Sequence, residues 1–432
     1  MMEGLGYAKY ESYKDSGLDW LGHIPEGWGL LRSKFVWRES EGRSILGNEE
    51  LLSVSQHHGI VPRMADSRSE DLTGYKLVNK GELVTNIMLA WMGSLGISDH
   101  RGIVSPAYAV YELIGDANPH FLGYLYKTAQ YLAEFARRSS GVVPSRWRMY
   151  TDDFDQVRTL LPTKQEQDII VSFLADKCDK IDGAVKIKED QIALLRERRQ
   201  IIIQDAVTRG LNPAIPMKES GIDWIGQIPA HWEVSKLKFL SRKIVDGTHF
   251  TPTYVAEGVP FLRVTDLTNM IDGKINWDET RKIPRKEHIE LSKRADAEFG
   301  DVLLSKNGTI GLTKVIDWMD EFSFFVSLCL IKLTKELSPH YFAAFFGSPL
   351  VDEQLSFGSL RTSVTNLHLE KIKELLIVVP PRDEQEELVA YIREISKPID
   401  AGIALKNAQI AALKEYKTSL INAAVTGKIK VI

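Results

Sequence analysis

The chain is written twice. Residues Lys14 to Phe35, KDSGLDWLGHIPEGWGLLRSKF, return as Lys218 to Phe239, KESGIDWIGQIPAHWEVSKLKF, in one ungapped register at offset 204. Ser16/Ser220, Gly17/Gly221, Asp19/Asp223, Trp20/Trp224, Gly22/Gly226, Ile24/Ile228, Pro25/Pro229 and Trp28/Trp232 are identical pairs. A second match lies at offset 218, where LLPTKQEQDIIVSFL (Leu160 to Leu174) parallels VVPPRDEQEELVAYI (Val378 to Ile392). The difference, 218 − 204 = 14, makes the segment between the two matches longer in the second half. Those intervening segments share only faint similarity, so the fold must repeat one frame around two divergent inserts.

This reading divides the chain into a lead-in (1–35), a variable domain (36–161), a helical region (162–211), a repeated lead-in (212–239), a second variable domain (240–379) and a second helical region (380–432). The lead-ins carry G-x-D-W-[LI]-G-x-I-P-x-x-W, a loop punctuated by Gly and Pro with two tryptophans that need burial. It serves either as a clasp on its own domain or as a docking surface for a partner.

Both helical regions open with P-x-x-x-E-Q (Pro162 to Gln167, Pro380 to Gln385), a proline followed by an acidic first turn. An interruption is expected near Lys180-Ile181-Asp182 and near Lys397-Pro398-Ile399-Asp400, because proline opposes a continuous helix. Beyond it, Ile181, Val185, Lys188, Ile192, Leu195, Arg199, Ile202 and Ala206 alternate spacings of four and three, the seam of a coiled coil. Ile399, Ile403, Lys406, Ile410, Leu413, Lys417, Leu420 and Ala424 repeat it. The basic seam residues either fix register or reach outward from the seam edge. About 26 residues make a rod of roughly 40 Å, and the two are expected to pair antiparallel as a ruler between the variable domains.

Each variable domain mixes short alternating β-type runs with one helical stretch (PHFLGYLYKTAQYLAEFARRSS and PHYFAAFFGSPLVDEQLSF), which predicts α+β domains on a twisted sheet. Arg137, Arg138, Ser139, Ser140, Arg146, Trp147 and Arg148 gather around a Gly-Val-Val-Pro turn, and Arg361, Thr362 and Ser363 occupy the parallel place in the second half. Arginine can take guanine edges or phosphates in a bidentate grip, and hydroxyls can contact phosphate. A further basic stretch, Arg281, Lys282, Arg285, Lys286, Lys293 and Arg294, is diluted by Glu287 and Glu290.

Charge cautions against a generic phosphate-coating protein: 54 basic against 58 acidic side chains leave a net charge of −4. DNA binding must therefore rest on local patches or on partners. No P-loop, amino-methylation motif, glycine-rich cofactor loop or nucleophile elbow is present, and His57-His58 lack metal-ligand spacing. Asp266 with Asp272-Gly273-Lys274 imitates a metal nuclease core only weakly, since Asp-Gly-Lys reads as a turn. Cys178 and Cys329 stand alone, without a disulfide framework. No membrane span or signal peptide is read, and a cytoplasmic location is expected.

The architecture resembles the specificity subunit of type I restriction-modification systems across essentially the whole chain. The doubled lead-in and doubled P-x-x-x-E-Q carry the resemblance. Asp246 to Pro252, Asn307 to Gly311, Met92 to Gly96 and Gly102 to Tyr108 resemble segments frequent in its target recognition domains. The resemblance implies that the chain is not itself an enzyme. Each variable domain would read one half of a bipartite, asymmetric site in double-stranded DNA, while the helix pair sets the spacer and docks two methyltransferase subunits. S-adenosylmethionine would belong to those subunits, and ATP and Mg to up to two motor-nuclease subunits. Ser55, Gln56, His57 and His58, with Thr248 and His249, join Arg146, Arg148 and Arg361 as candidate DNA contacts. A coiled-coil adaptor joining two protein-binding domains is the alternative, and a methylation-only or fused restriction system is a variant within the family.

Overall fold

The computed structural model describes all residues except 1–5, 57–58, 64–70, 144–145, 272, 358–366 and 432. It forms two compact units, one of residues 1–188 with 408–432, the other of 189–407. Each unit contains one lead-in, one variable domain and stretches of both long helices.

In the first unit, the lead-in strand Gly29–Arg32 pairs antiparallel with Arg158–Leu161, the strand that leaves the variable domain. In the second, Glu233–Lys236 pairs the same way with Leu376–Val379. The chain thus enters and leaves each variable domain through one two-stranded neck. An insert closed at a neck can lengthen or diverge without disturbing the frame, which accounts for the 14-residue difference between the two offsets.

Inside the necks, the faintly similar inserts share a topology. In the first, the sheet order is Trp37–Glu39, Tyr108–Leu113, Leu83–Asn86, Leu95–Ile97; in the second it is Ser241–Asp246, Leu328–Leu333, Val302–Ser305, Thr313–Val315. All neighbours within these sheets run antiparallel. The helical stretch expected as one element is two in each domain: Pro119–Tyr126 and Ala129–Arg138, then Pro339–Phe346 and Pro349–Phe357. A hydroxyl sits at each break, and in the second domain Pro349 follows it and disfavours helical backbone at Ser348. Thr128 Oγ1 donates to the Leu125 carbonyl and Ser348 Oγ to that of Phe345, turning the chain where the helix would continue.

The long helices, Lys164–Arg209 and Arg382–Val425, run without the expected interruptions. Pro398 lies inside the second helix. It removes one backbone donor at a cost of about 3 kcal/mol, and buried Ile392 and half-buried Ile399 and Ile403 hold the helix through it. The helices pack antiparallel, and the seam residues named from sequence are all buried or half-buried.

The basic seam residues reach across to the opposite helix. In the first unit Lys188 Nζ donates to Gln409 Oε1 (2.7 Å) and Lys417 Nζ to Asp182 (2.6 Å). In the second, Lys406 Nζ donates to Gln191 Oε1 (2.6 Å) and Arg199 Nη1 to Asp400 (2.9 Å). The second pairs are the first at offset 218 with the helices exchanged. One register therefore satisfies all four cations, and a slip by one turn breaks all four, the register role that seam polar groups serve in coiled coils.

The lead-ins act as clasps. Gly17/Gly221 and Gly22/Gly226 hold positive φ, permitting a loop in which the Ser16 and Ser220 amides donate to the Gly22 and Gly226 carbonyls. Trp28 and Trp232 are fully buried. Trp28 Nε1 donates to Glu166 and Trp232 Nε1 to Glu384, the glutamates of the two P-x-x-x-E-Q motifs. The motif's glutamines, also buried, accept the backbone N–H of Asn118 (2.8 Å) and Ser338 (2.7 Å), the residues that precede the first domain helix. Each motif therefore ties a lead-in, a domain helix and a long helix together.

The ends of the long helices complete the clasp in crossed order. Trp232 packs on Gly210, after the first long helix, whereas Trp28 and Pro25 pack on Gly427, after the second. Tyr13 Oη donates to the Gly427 carbonyl and Ala8 bridges Lys430, so the two termini of the chain meet in the first unit.

Two glycine substitutions separate these roles. A Cβ on Gly427, at φ +72°, would sit 2.4 Å from Pro25. Gly427→Ala should cost roughly 2–4 kcal/mol from left-handed strain plus overpacking. Gly183 is exposed within the first long helix, a Cβ there would meet no atom within 4 Å, and its counterpart is Ala401. Gly183→Ala should add roughly 0.5–1 kcal/mol. Denaturant unfolding of the full chain measures both signs.

Candidate functional site

In the first variable domain the sequence candidates converge on one surface. The strand Leu52–Ser55 ends at exposed Gln56, whose side chain lies against Gly93. Gly93 closes the one-turn helix Ala90–Met92 at φ +86°, with Leu132 of the second domain helix on its other side. From that turn Trp91 meets Trp147 edge-on, with ring centroids 5.3 Å apart. Trp147 belongs to a loop pinned by a bridge between Ser140 and Arg148 and by the Met149 amide donating to the Ile87 carbonyl.

The loop presents Arg146, exposed, and Arg148, half-exposed, whose Nη1 donates to the Arg146 carbonyl. Val142 stands almost wholly exposed at its tip. Gly141 is required there, because a Cβ would meet the Arg146 carbonyl oxygen at 2.5 Å. The result is an aromatic platform flanked by guanidinium groups. Trp91 is the member of this platform that sequence reasoning missed; a tryptophan beside the Met-Gly-Ser-Leu-Gly turn was the available signal.

Arg137 and Arg138 are placed differently. They end the helix Ala129–Arg138 and both grip Glu134, Arg137 through two bonds of 2.7 and 2.8 Å and Arg138 through one of 2.5 Å. Glu134 is buried. Burial acts to raise its pKa, but the arginine hydrogen bonds and charges outweigh it and hold the carboxyl below its ordinary range. Part of this arginine pair's donor capacity is used inside the domain.

In the second domain, Thr248 and His249 part company. Gly247 lies so close to the Phe324 and Phe325 backbone that a Cβ would meet a carbonyl oxygen at 2.2 Å. Thr248 is buried, with its amide donating to the Phe324 carbonyl and its own carbonyl accepting from Val326. Its hydroxyl closes a turn to Phe250, so Thr248 holds the loop in place. His249 is exposed beside a cavity of about 490 Å³ that Asp246, Lys306, Asn307, His368 and Glu370 help to line. Lys306 Nζ lies 3.1 Å from Asp246 Oδ2, a buried ion pair. The other Asp246 oxygen and Asn307 Oδ1 are buried acceptors with no partner among the described residues. Sequence reading missed this Asp246–Lys306 pair because its members are 60 residues apart.

His57, His58, Arg361, Thr362 and Ser363 lie outside the described residues, as does Asp272. Asp266 is gripped by Arg263 and caps its own short helix. In the basic stretch, Arg285 pairs with Glu321 and Lys293 with Glu290, while Arg281 stacks on Tyr254 at 4.4 Å. Among the described residues no group of His, Cys, Asp or Glu is arranged to hold a metal, and no helix is long and apolar enough to cross a membrane.

Comparison with known proteins shows what the chain is similar to. Residues 229–415 match the type I restriction modification DNA specificity domain. Along nearly their full lengths, two proteins of Methanocaldococcus jannaschii are similar to this chain. The type I restriction enzyme MjaVIII specificity subunit is 24% identical, with 99% of this chain and 98% of that protein covered. The putative type I restriction enzyme MjaX specificity subunit is 23% identical, with 99% of each covered. A solved structure described as the basis of complex assembly and conformational transition of the type I R-M system has the same fold. Its TM-score is 0.65 at 17% identity, covering 93% of this chain and 98% of that one.

The Glu134 cluster yields a pH prediction. A carboxyl held below its unfolded pKa stabilises fully above about pH 4.3 and loses that contribution as pH falls through the folded value. Wild type should therefore lose stability relative to Glu134→Gln between about pH 5 and pH 3. At neutral pH, Glu134→Ala should cost roughly 1–3 kcal/mol, with both arginines left beside an empty site. Denaturant midpoints across pH measure both effects.

Proposed function

We propose that this chain is a specificity subunit of a type I restriction-modification system, and that its two variable domains each read one half of a bipartite, asymmetric site in double-stranded DNA. The observation that carries this reading is the recurrence of one sheet topology in two inserts whose exposed surfaces differ. The first offers tryptophans 91 and 147 with Arg146 and Arg148; the second offers His249 beside a polar cavity. Two unlike surfaces on one repeated scaffold suit two unlike half-sites.

The chain's own part is recognition without catalysis. Guanidinium groups can take guanine O6 and N7 or phosphate. Methyltransferase subunits, two per chain, would bring S-adenosylmethionine and transfer the methyl group to adenine. Motor-nuclease subunits would bring ATP and Mg where cleavage occurs. Such partners also answer the charge balance of −4, since they can supply basic surface along the duplex. The reciprocal register of the long helices supports their role as the element that sets the spacer.

Co-expression with a methyltransferase subunit of this family, followed by genome-wide mapping of methylated adenines, tests the reading. A two-part motif with a fixed gap is expected. Exchange of residues 240–379 for those of another family member should change one half of the motif and leave the other. Arg146→Ala should weaken cognate binding by roughly 1–3 kcal/mol if it reads a base, and weaken all sequences equally if it holds phosphate. A complex that forms yet neither methylates nor binds DNA favours the adaptor reading.

A further inference from the structure

The two lead-ins have drifted apart at several exposed positions, although exposed Asp19 and Asp223 remain identical. His23 corresponds to Gln227, Glu26 to Ala230 and Gly27 to His231, all six exposed. Yet Lys34-Phe35 returns unchanged as Lys238-Phe239. Phe35 is 59% exposed and Phe239 69%. Each ring ends a one-turn helix, Ser33–Phe35 or Leu237–Phe239, that directly follows the neck strand. The neighbouring lysine ammonium lies over the ring, 5.1 Å from its centroid in the first copy and 5.2 Å in the second.

Folding gives little reason to keep these rings. Residues buried in the same turns, Ser33 and Leu237, differ between the copies, whereas the exposed pair does not. A solitary exposed phenylalanine is ordinary surface. The same exposed Lys-Phe pair, kept at one place in both frames while its exposed neighbours diverged, points to a contact outside the chain that is made twice.

We propose that Phe35 and Phe239 are the anchor residues through which two copies of one protein partner dock, one on each half of the chain. This rests on the functional reading above, in which that partner is the methyltransferase subunit. The partner surface is an apolar socket that receives a phenyl ring with an ammonium at its side, the kind of central anchor that dominates protein interfaces. Duplex DNA is the weaker match. The ring offers no hydrogen bond to a base edge, and carboxylates adjoin both turns. Asp155 lies within electrostatic reach of Lys34, and Glu374 binds both Lys236 and Lys238, which hold its pKa down at about 2. These carboxylates offset part of the lysine charge that a phosphate would seek.

The test uses the full chain co-purified with the methyltransferase subunit, its stoichiometry read by native mass spectrometry. Phe35→Asp and Phe239→Asp are made singly and together, with Phe→Leu variants as apolar controls. Wild type should carry two copies, each Asp variant one and the double variant none, with the lost site weakened roughly 30-fold or more. The Leu variants should keep both. Circular dichroism and melting of the isolated chain check that the variants fold, and its DNA affinity should stay as in wild type. Two copies retained in a folded double Asp variant overturn the anchors alone. Reduced DNA affinity with stoichiometry unchanged assigns the rings to DNA and overturns the proposal. A wild-type chain that captures no methyltransferase subunit overturns the functional reading, and the anchors with it.

Discussion

A hydrogen bond from a buried indole to a glutamate, made once in each unit, is the joint that holds the repeated frame together. Trp28 meets Glu166 and Trp232 meets Glu384. A fully buried indole N–H is costly to leave unpaired, and each half-buried carboxylate supplies its acceptor. Glu166 and Glu384 begin the long helices, and glycines beyond the opposite ends of those helices pack on the same tryptophans. Each tryptophan is thereby a staple between the start of one helix and the end of the other. A chain carrying one copy of the frame would lack one side of each staple, which gives the duplication a physical reason.

Register between the helices is specified by the same economy. Apolar seam residues alone would tolerate a slip of one turn, but Lys188, Arg199, Lys406 and Lys417 all find acceptors on the opposite helix at the observed alignment, and a slip breaks these four bonds together. Exposed polar pairs of this kind add little stability. Their contribution is to penalise alternatives, and it leaves apolar packing free to carry an imperfect residue such as Pro398. Frame and inserts thus answer to different constraints. The frame is held by buried polar joints, whereas each insert meets it through one neck and can change its outer surface.

Much of this was legible because repeats expose themselves. The seam spacing from Ile181 to Ile202 gave the helix packing, and the doubled lead-in marked residues that recur because they are buried together. The expectation of broken helices went wrong because proline's local preference was outweighed by burial along the seam. The single domain helix is split in two at Thr128 and at Ser348, where hydroxyls bond to nearby backbone and, in the second domain, Pro349 follows. Among the candidate contacts, Arg146, Arg148 and Gln56 do share a surface in the first domain. Thr248 instead proved to be interior, and Arg137 and Arg138 are tied to a carboxylate on their own helix.

The duplicated frame, the two divergent inserts, the antiparallel helix seam and the resemblance to specificity subunits could all be read from the bare chain, because they rest on periodicity and on identity at fixed spacing. Which copy of a motif serves which partner needed the folded molecule. Trp28 is 138 residues from the glutamate it binds, and Tyr13 is 414 from the carbonyl of Gly427. The fold alone also separated Arg146 on the exposed loop from the two arginines that share Glu134, and placed Lys306 beside Asp246. Such pairings are set by distance in space and by the cost of an unpaired buried group, and neither is written in the local pattern of a chain.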